Sequence, residues 1–451
     1  MGKYFGTDGF RGTAGVDLTA EHAFKIGRYL GHYLRNNVEE ESKPRVVVGK
    51  DTRLSSYMLE YAIASGLASS GADVYLLHVT TTPSVSYVTL EEGFDLGVMI
   101  TASHNPFTDN GIKIIDSQGC KLGDAISDKI EEYIDSSANN VPFAGGAEIG
   151  RIYDHYAGRN AYIGHLISTA SSSYKRLKVG LDAANGSAFS IARSVFAALG
   201  AEVHSMGDDP NGMNTNYECG STHPEKLCRM VREKHLDVGF AFDGDADRCI
   251  AVDENGDVVD GDAILYILAK SLKKNGALRG DKIALTVMSN SGLVHSLAKE
   301  GIGAEITAVG DRFVYERMQE MNLSLGGEQS GHIIIKDLGA TGDGILTAIA
   351  LTDEMISNKT TLAELCRGFV RLAQRSESVR VRSKDEVMRD GDVLGQIENL
   401  ERENTCGRIL VRASGTEPKI RIMAEVESRT ECDKIVESII SILREKGYLD
   451  E

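Results

Sequence analysis

Three aspartates alternate along Asp243-Gly244-Asp245-Ala246-Asp247-Arg248. In an extended segment that spacing aims all three carboxylates to one side. Two like charges about 4 Å apart cost roughly 4 kcal/mol at an effective dielectric near 20. A hard divalent cation removes that penalty, and all-oxygen ligation suits Mg²⁺ or Ca²⁺. A twelve-residue calcium loop is a near miss: Glu254 falls at its last position, but Arg248 stands where the loop turns on glycine, and Ile250-Ala251-Val252 reads as strand. A solvated acidic turn would show the same letters.

Three further segments carry unusual residues. Thr101-Ala102-Ser103-His104-Asn105-Pro106 offers a hydroxyl with nearby donors and a rigid exit, although a serine before His-Asn-Pro also makes a simple turn. Gly326-Gly327-Glu328-Gln329-Ser330-Gly331-His332 sets Glu328, Ser330 and His332 in one glycine-flanked loop suited to sugar hydroxyls, or to a turn. Arg412-Ala413-Ser414-Gly415-Thr416-Glu417-Pro418 joins a guanidinium, two hydroxyls and a flexible amide, a set that can wrap a phosphate or close a tight turn.

The elements that must position these loops follow a repeat. Phe94-Asp95-Leu96-Gly97, Leu236-Asp237-Val238-Gly239 and Leu323-Ser324-Leu325-Gly326 each lead from an apolar strand to a polar loop. Each is preceded by another strand, beginning near Val46, Lys178 and Ile283, and then a helical stretch. Strands alternating with amphipathic helices predict α/β layers with helices over a largely parallel sheet. In open α/β sheets ligands bind beyond the carboxyl ends of the strands, where the three loops lie. Thr19 is placed to cap a helix with Ala23, Ile26, Leu30 and Leu34 on one face, and a second runs from Asp124 with Ile126, Ile130 and Ile134 spaced by four. Residues 136–146 read as a loop. From about residue 368 short alternating strands such as 378–382 and 419–423 precede a last helix, capped by Thr430 with Ile435, Ile439 and Leu443 buried: a smaller α+β domain.

Composition bounds the rest. At roughly 100 to 200 residues per domain, 451 residues make three or four. A formal charge of −17 repels nucleic acid and anionic membranes, so a phosphorylated ligand needs local arginines. The 48 glycines suit many tight strand-to-helix turns. The seven cysteines are scattered and never form Cys-x-x-Cys, which reads as reduced packing residues in a cytoplasmic protein; no signal-peptide core or transmembrane run is expected.

Taken in order, Phe5-Gly6-Thr7-Asp8-Gly9-Phe10-Arg11-Gly12, Thr101 to Pro106, Asp243 to Arg248, Gly327 to His332 and Arg412 to Pro418 resemble the five motifs of the phosphohexomutase superfamily, across the whole chain. Gly6-Thr7-Asp8-Gly9 and Gln329, where glucose- and mannose-type relatives usually carry Glu or Met, resemble its bacterial amino-sugar branch. The resemblance implies three related α/β domains with mixed sheets plus a smaller α+β C-terminal domain around a central cleft, divided as 1–154, 155–254, 255–367 and 368–451. It implies an isomerase that interconverts glucosamine 6-phosphate and glucosamine 1-phosphate through a 1,6-bisphosphate, feeding UDP-N-acetylglucosamine and cell-wall synthesis. Ser103 matches the phosphoserine. Asp243, Asp245 and Asp247 match Mg²⁺ ligands, with a phosphate oxygen on Ser103 completing the set. Glu328, Ser330 and His332 match the sugar-binding loop. Arg412, Ser414, Gly415 and Thr416, with Arg421, match the site for the phosphate not being transferred. Arg11, His104, Lys113 and Arg248 match cationic residues around the reacting phosphoryl, with Lys113 or Arg11 assisting proton transfer. The expected partner is a small sugar phosphate, with no nucleic acid and no membrane, for a monomer or homodimer. The rival readings are a glucose- or mannose-type phosphohexomutase, a metal-dependent sugar phosphatase, and a non-catalytic Ca²⁺ or phosphosugar binder.

Overall fold

Four β-sheets organise the chain in the computed structural model, which describes residues 3–6, 8–37, 43–136, 141–403, 407–414 and 418–450. The first has seven strands, in the order Phe5–Gly6, Gly9–Thr13, Asp109–Asp116, Leu96–Ile100, Arg45–Lys50, Asp73–Val79 and Ile152–Asp154. The second runs Val258–Val259, Cys249–Val252, Val238–Phe242, Lys178–Asp182, Glu202–Met206, and so continues past residue 254. The third runs Gly303–Thr307, Lys282–Thr286, Leu325–Gly327, Ile333–Ile335.

One four-strand motif underlies all three. Its central strands, Leu96–Ile100, Val238–Phe242 and Leu325–Gly327, are the apolar runs that the repeat singled out, and each is wholly buried. Each lies parallel to the strand before its crossover and antiparallel to the strand after it, so the sheets are mixed, where a largely parallel sheet was the expectation from element order. A tight connection joins each central strand to its antiparallel neighbour, since such pairs need no crossover. Those three connections, residues 101–108, 243–248 and 328–332, are the loops that carry the chemistry.

Helices cover the sheets by the stripes that their sequences show. In Ala20–Asn37, Thr19 Oγ1 accepts from the His22 amide at 3.3 Å, and Ile26, Leu30 and Leu34 are buried. In Asp124–Asp135, Ile130 and Ile134 join the same core. At roughly 25 cal/mol per Å² of apolar surface, each fully buried leucine or isoleucine contributes about 1.5–3 kcal/mol.

The chain forms two compact units, Met1–Met288 with Ala304–Arg367, and Ser289–Gly303 with Gly368–Glu451. The second contains the fourth sheet, Ala373–Arg380, Lys419–Val426, Arg408–Ala413, all antiparallel, backed by helix Arg429–Glu445 with Ile435, Ile439 and Leu443 buried. That helix starts two residues earlier than a Thr430 cap implied: Ser428 caps it, its hydroxyl accepting from the Glu431 amide at 3.2 Å. Both residue types are good caps. Among the described residues all cysteines are free, and no helix is long and apolar enough to cross a membrane.

Candidate active site and metal centre

Ser103 follows the central strand of the first sheet and is buried, 1% exposed. Its Oγ donates to Asp243 Oδ2 at 2.5 Å and lies 3.3 Å from His104 Nδ1. The loops of the first and second sheets thus meet at one hydroxyl. Their approach requires glycine at 244, because a side-chain carbon there would stand 2.5 Å from the Ser103 carbonyl oxygen.

Asp243, Asp245 and Asp247 are all buried, and one oxygen from each lies within 4.8 Å of the others. The expectation of an extended segment is corrected: residues 243–248 form a tight turn in which the Ala246 amide donates to the Asp243 carbonyl at 3.1 Å and Ala246 has φ +56°. The turn gathers the carboxylates because successive side chains of a curled backbone converge. Burial, then Asp247 and Asp245, pushes Asp243 well above the usual carboxylate range. Asp247 feels the same burial, but Lys113, His332 and Arg248 hold it well below that range.

Lys113 Nζ donates to Asp245 Oδ2 at 2.7 Å and Asp247 Oδ2 at 2.9 Å, and Thr82 Oγ1 donates to Asp245 Oδ2 as well. The remaining oxygens, Asp245 Oδ1 and Asp247 Oδ1, are buried and accept no hydrogen bond among the described residues. Buried carboxylate oxygens left unpartnered are expensive. A hard divalent cation on the three aspartates would satisfy them, so the residues fit a metal site of oxygen-ligand type.

The expected cations divide. Arg11 and Lys113 share a face, since Arg11 pairs with Gly111 across neighbouring strands and Lys113 lies two residues on. Arg11 also pairs with Asp8. Burial disfavours the Lys113 cation, yet Asp245 and Asp247 raise it above its ordinary value and keep it charged. Arg248 Nη1 reaches His104 Nδ1 at 3.1 Å. His104, expected among the cations, is brought down to about 4 by burial, then by Arg248 and Arg11.

In the third loop the Glu328 amide donates to the His332 carbonyl at 3.0 Å, and Glu328 Oε1 accepts from the Gly310 amide at 3.2 Å. Ser330 is exposed at the tip. His332 is buried, with Nδ1 3.8 Å from Asp247 and Nε2 3.6 Å from Asp311, so its ring meets the metal loop. Asp311 pairs with Lys121, which also holds Asp8. Asp8, Thr82, Lys121 and Asp311 were given no site role from sequence; Asp8 stood inside the Phe5–Gly12 motif, and the other three lie outside every motif loop. A groove of about 930 Å³, lined by Tyr87, His165 and Tyr315 among others, reaches this wall at Lys121, Asp311 and His332 and includes neither Ser103 nor the three aspartates.

In the second unit Arg412 and Arg421 face each other across Arg408–Ala413 and Lys419–Val426. Both are exposed, and neither has an ion-pair partner among the described residues. Like charges directly opposed on a sheet are unfavourable, and an anion between them reverses the sign. Ser414 is buried, its amide donating to the Lys419 carbonyl at 2.8 Å and its carbonyl accepting from Lys384 Nζ at 2.6 Å. Gly415 and Thr416 lie outside the described residues, as does Thr7.

Comparison with known proteins places four family models along the chain. They are phosphoglucomutase/phosphomannomutase alpha/beta/alpha domain I at residues 2–141, domain II at 160–256, domain III at 260–372 and the C-terminal domain at 378–442. A phosphoglucosamine mutase of Lachnospira eligens is 52% identical over 449 residues, covering 99% of this chain and 100% of the relative. That of Bacillus subtilis is 46% identical over 451 residues, covering 100% of both. Among solved structures, a phosphoglucomutase/phosphomannomutase family protein from Burkholderia thailandensis matches 98% of each chain at TM-score 0.78 and 25% identity. An N-acetylglucosamine-phosphate mutase in its substrate complex shares the fold at TM-score 0.66 and 16% identity.

Proposed function

This chain belongs to the phosphohexomutase superfamily, and from that premise we infer that Ser103 carries a phosphoryl group between two oxygens of one amino sugar. The activity is that of a phosphoglucosamine mutase, an isomerase. The observation that supports the assignment of Ser103 most strongly is its hydroxyl on Asp243 at 2.5 Å, with His104 at 3.3 Å and with Lys113, Arg11 and Arg248 around the same aspartates and imidazole.

In one direction the Ser103 Oγ–P bond breaks as a P–O bond forms at the C1 oxygen of glucosamine 6-phosphate, and the C1 hydroxyl proton is transferred to Ser103 Oγ in place of phosphorus. The 1,6-bisphosphate then turns around. Its C6 O–P bond breaks as Ser103 Oγ–P re-forms, the Oγ proton passes to the C6 oxygen, and glucosamine 1-phosphate is released. Such transfer needs positioning and charge neutralisation more than covalent chemistry. A phosphoserine brings about −1.5 to −2 charge; Lys113 stays protonated beside Asp245 and Asp247, and Arg11 and Arg248 add two fixed cations. A dianion on Ser103 also raises the proton affinity of His104, which lets that imidazole donate to a phosphate oxygen. Mg²⁺ is the ion we assign to Asp243, Asp245 and Asp247, where it would add positive charge beside the phosphate. Glu328 and Ser330 read sugar hydroxyls, with His332 supporting them from Asp247. Arg412, Arg421, Ser414, Gly415 and Thr416 hold the phosphate not being transferred.

We place the protein in the cytoplasm, in keeping with the free cysteines among the described residues, and divide it near residues 154 and 367, with the middle boundary moved from 254 to after Val259, the edge strand of the second sheet. The exposed row Leu54, Tyr57, Met58 and Tyr61 on helix Leu54–Ser69 favours a homodimer over a monomer.

A coupled assay tests the substrate: kcat/KM should be higher for glucosamine phosphate than for glucose or mannose phosphate, as a preference, since an amine and a hydroxyl both hydrogen-bond. A higher kcat/KM for mannose 1-phosphate overturns the amino-sugar assignment, and inorganic phosphate as the main product would indicate a phosphatase.

A further inference from the structure

Ser103 occupies a backbone conformation that serine does not favour. Its φ is +51°, in the left-handed region, at a cost of roughly 1–2 kcal/mol for a residue with a Cβ. Such a conformation persists only where the surroundings over-determine it. Here two buried side chains do so, and neither touches the Ser103 hydroxyl.

Arg53 is 0% exposed. Its Nη2 donates to the Ser103 and Asn105 carbonyls, each at 2.8 Å; its Nη1 donates to the Pro106 carbonyl and to that of Asp109 at 3.1 Å; its Nε donates to Asp51 Oδ2 at 2.7 Å. An arginine has five side-chain N–H donors in a fixed fork, and all are spent on this loop and its support. Asp51 Oδ2 also accepts from Thr101 Oγ1 at 2.8 Å, which in turn accepts from the Ser103 amide at 3.0 Å, so the N–H side of Ser103 is tied to the same anchor.

Asn216 approaches from the second sheet's side, in the segment after Glu202–Met206. Its Nδ2 spans the same two carbonyls, Ser103 at 2.8 Å and Asn105 at 3.0 Å, and its own amide is fixed to the Ala184 carbonyl at 2.9 Å. Gly244, from the metal loop, packs against the Ser103 carbonyl as well. That carbonyl therefore accepts two buried donors and has no room to swing. Rotating it would carry Oγ away from Asp243.

We propose that Arg53 and Asn216 are positioning residues: by gripping the Ser103 carbonyl from two sides they hold the hydroxyl toward Asp243 and so set the rate of phosphoryl transfer without touching the phosphate. This rests on the reading of Ser103 as the phosphoryl carrier.

The test is the rate at which dephosphorylated enzyme takes a phosphate from glucosamine 1,6-bisphosphate, followed by intact mass and peptide mapping. In that step the sugar O–P bond breaks as Ser103 Oγ–P forms, and the Oγ proton passes to the sugar oxygen. Asn216→Ala should slow it about 10- to 100-fold, as expected for a small misplacement of reacting atoms, with the half-saturating concentration unchanged. Arg53→Lys, which keeps the charge and loses the fork, should also be slow. Thr215→Ala loses the contact of Thr215 Oγ1 with Thr52 Oγ1 at 3.1 Å and a buried methyl beside Gly244 but leaves both Asn216 hydrogen bonds in place, and should transfer near the wild-type rate. A wild-type rate in folded Asn216→Ala overturns the positioning role. Should that variant not fold, Asn216→Ser, with one donor in place of two, decides instead: an intermediate rate supports the proposal and a wild-type rate overturns it. Wild type that is never labelled on Ser103 would overturn the carrier assignment itself, and this proposal with it.

Discussion

At Ser103 the nearest neighbours of Oγ are one carboxylate, Asp243, and one neutral imidazole, His104. Neither makes a serine reactive by itself. What distinguishes the position is the charge behind them: three buried aspartates whose burial and mutual repulsion are only partly relieved by Lys113 and Arg248. Asp245 carries this argument most directly, because its Oδ1 is buried without a partner. Asp245→Asn should weaken Mg²⁺ binding measured by calorimetry, and Ca²⁺, with its looser geometry, should bind wild type but support little transfer. Unchanged Mg²⁺ binding by the variant, or full wild-type activity in excess chelator, would rule the metal site out. The residue types here were readable from the chain, since alternating aspartates and a serine before histidine stand out. Their states were not. His104 is pushed below the ordinary imidazole range by burial and then by Arg248, 144 residues further on, and no local pattern contains that contact.

Among elements, the three apolar strands and the polar loops after them were legible, because buried central strands are continuous apolar runs bounded by glycine and charge. The antiparallel last strand of each motif was less so, since parallel and antiparallel partners share the same apolar pattern. The turn of residues 243–248 was missed for a different reason: alternation suggests an extended chain, whereas the positive φ of Ala246 curls it. Arg53 and Asn216 were invisible because their acceptors are backbone carbonyls, and every residue has one. Glycine reports such backbone approaches when it is tested. Gly244→Ala places a carbon 2.5 Å from the Ser103 carbonyl oxygen and should cost about 1–3 kcal/mol in urea unfolding while slowing phosphorylation of Ser103. Gly395→Ala, within helix Gly391–Glu403 with no neighbour inside 4 Å, should instead stabilise by roughly 0.5–1 kcal/mol. Equal stability of the two variants would contradict the close packing of the two loops.

For the molecule as a whole, a net charge of −17 opposes any phosphorylated substrate, so binding depends on local cations. Arg412 and Arg421 are such a pair, opposed on one sheet and without acidic partners among the described residues. If they hold the phosphate not being transferred, they meet the 6-phosphate in one direction and the 1-phosphate in the other. Charge-assisted hydrogen bonds contribute roughly 1.5–3 kcal/mol each, so Arg412→Ala should lower kcat/KM about 10- to 150-fold for either substrate, with Mg²⁺ binding unchanged. A loss confined to one sugar phosphate would show that the pair does not serve both. The central claim, that the phosphoryl group passes through Ser103, is tested most directly by comparing wild type with Ser103→Ala for glucosamine phosphate turnover and for phosphate content by intact mass. Wild type should isomerise the sugar phosphate and carry one phosphate on a fraction of molecules, mapped to Ser103, while the folded variant carries none and loses nearly all activity; equal turnover by the two proteins would contradict the account.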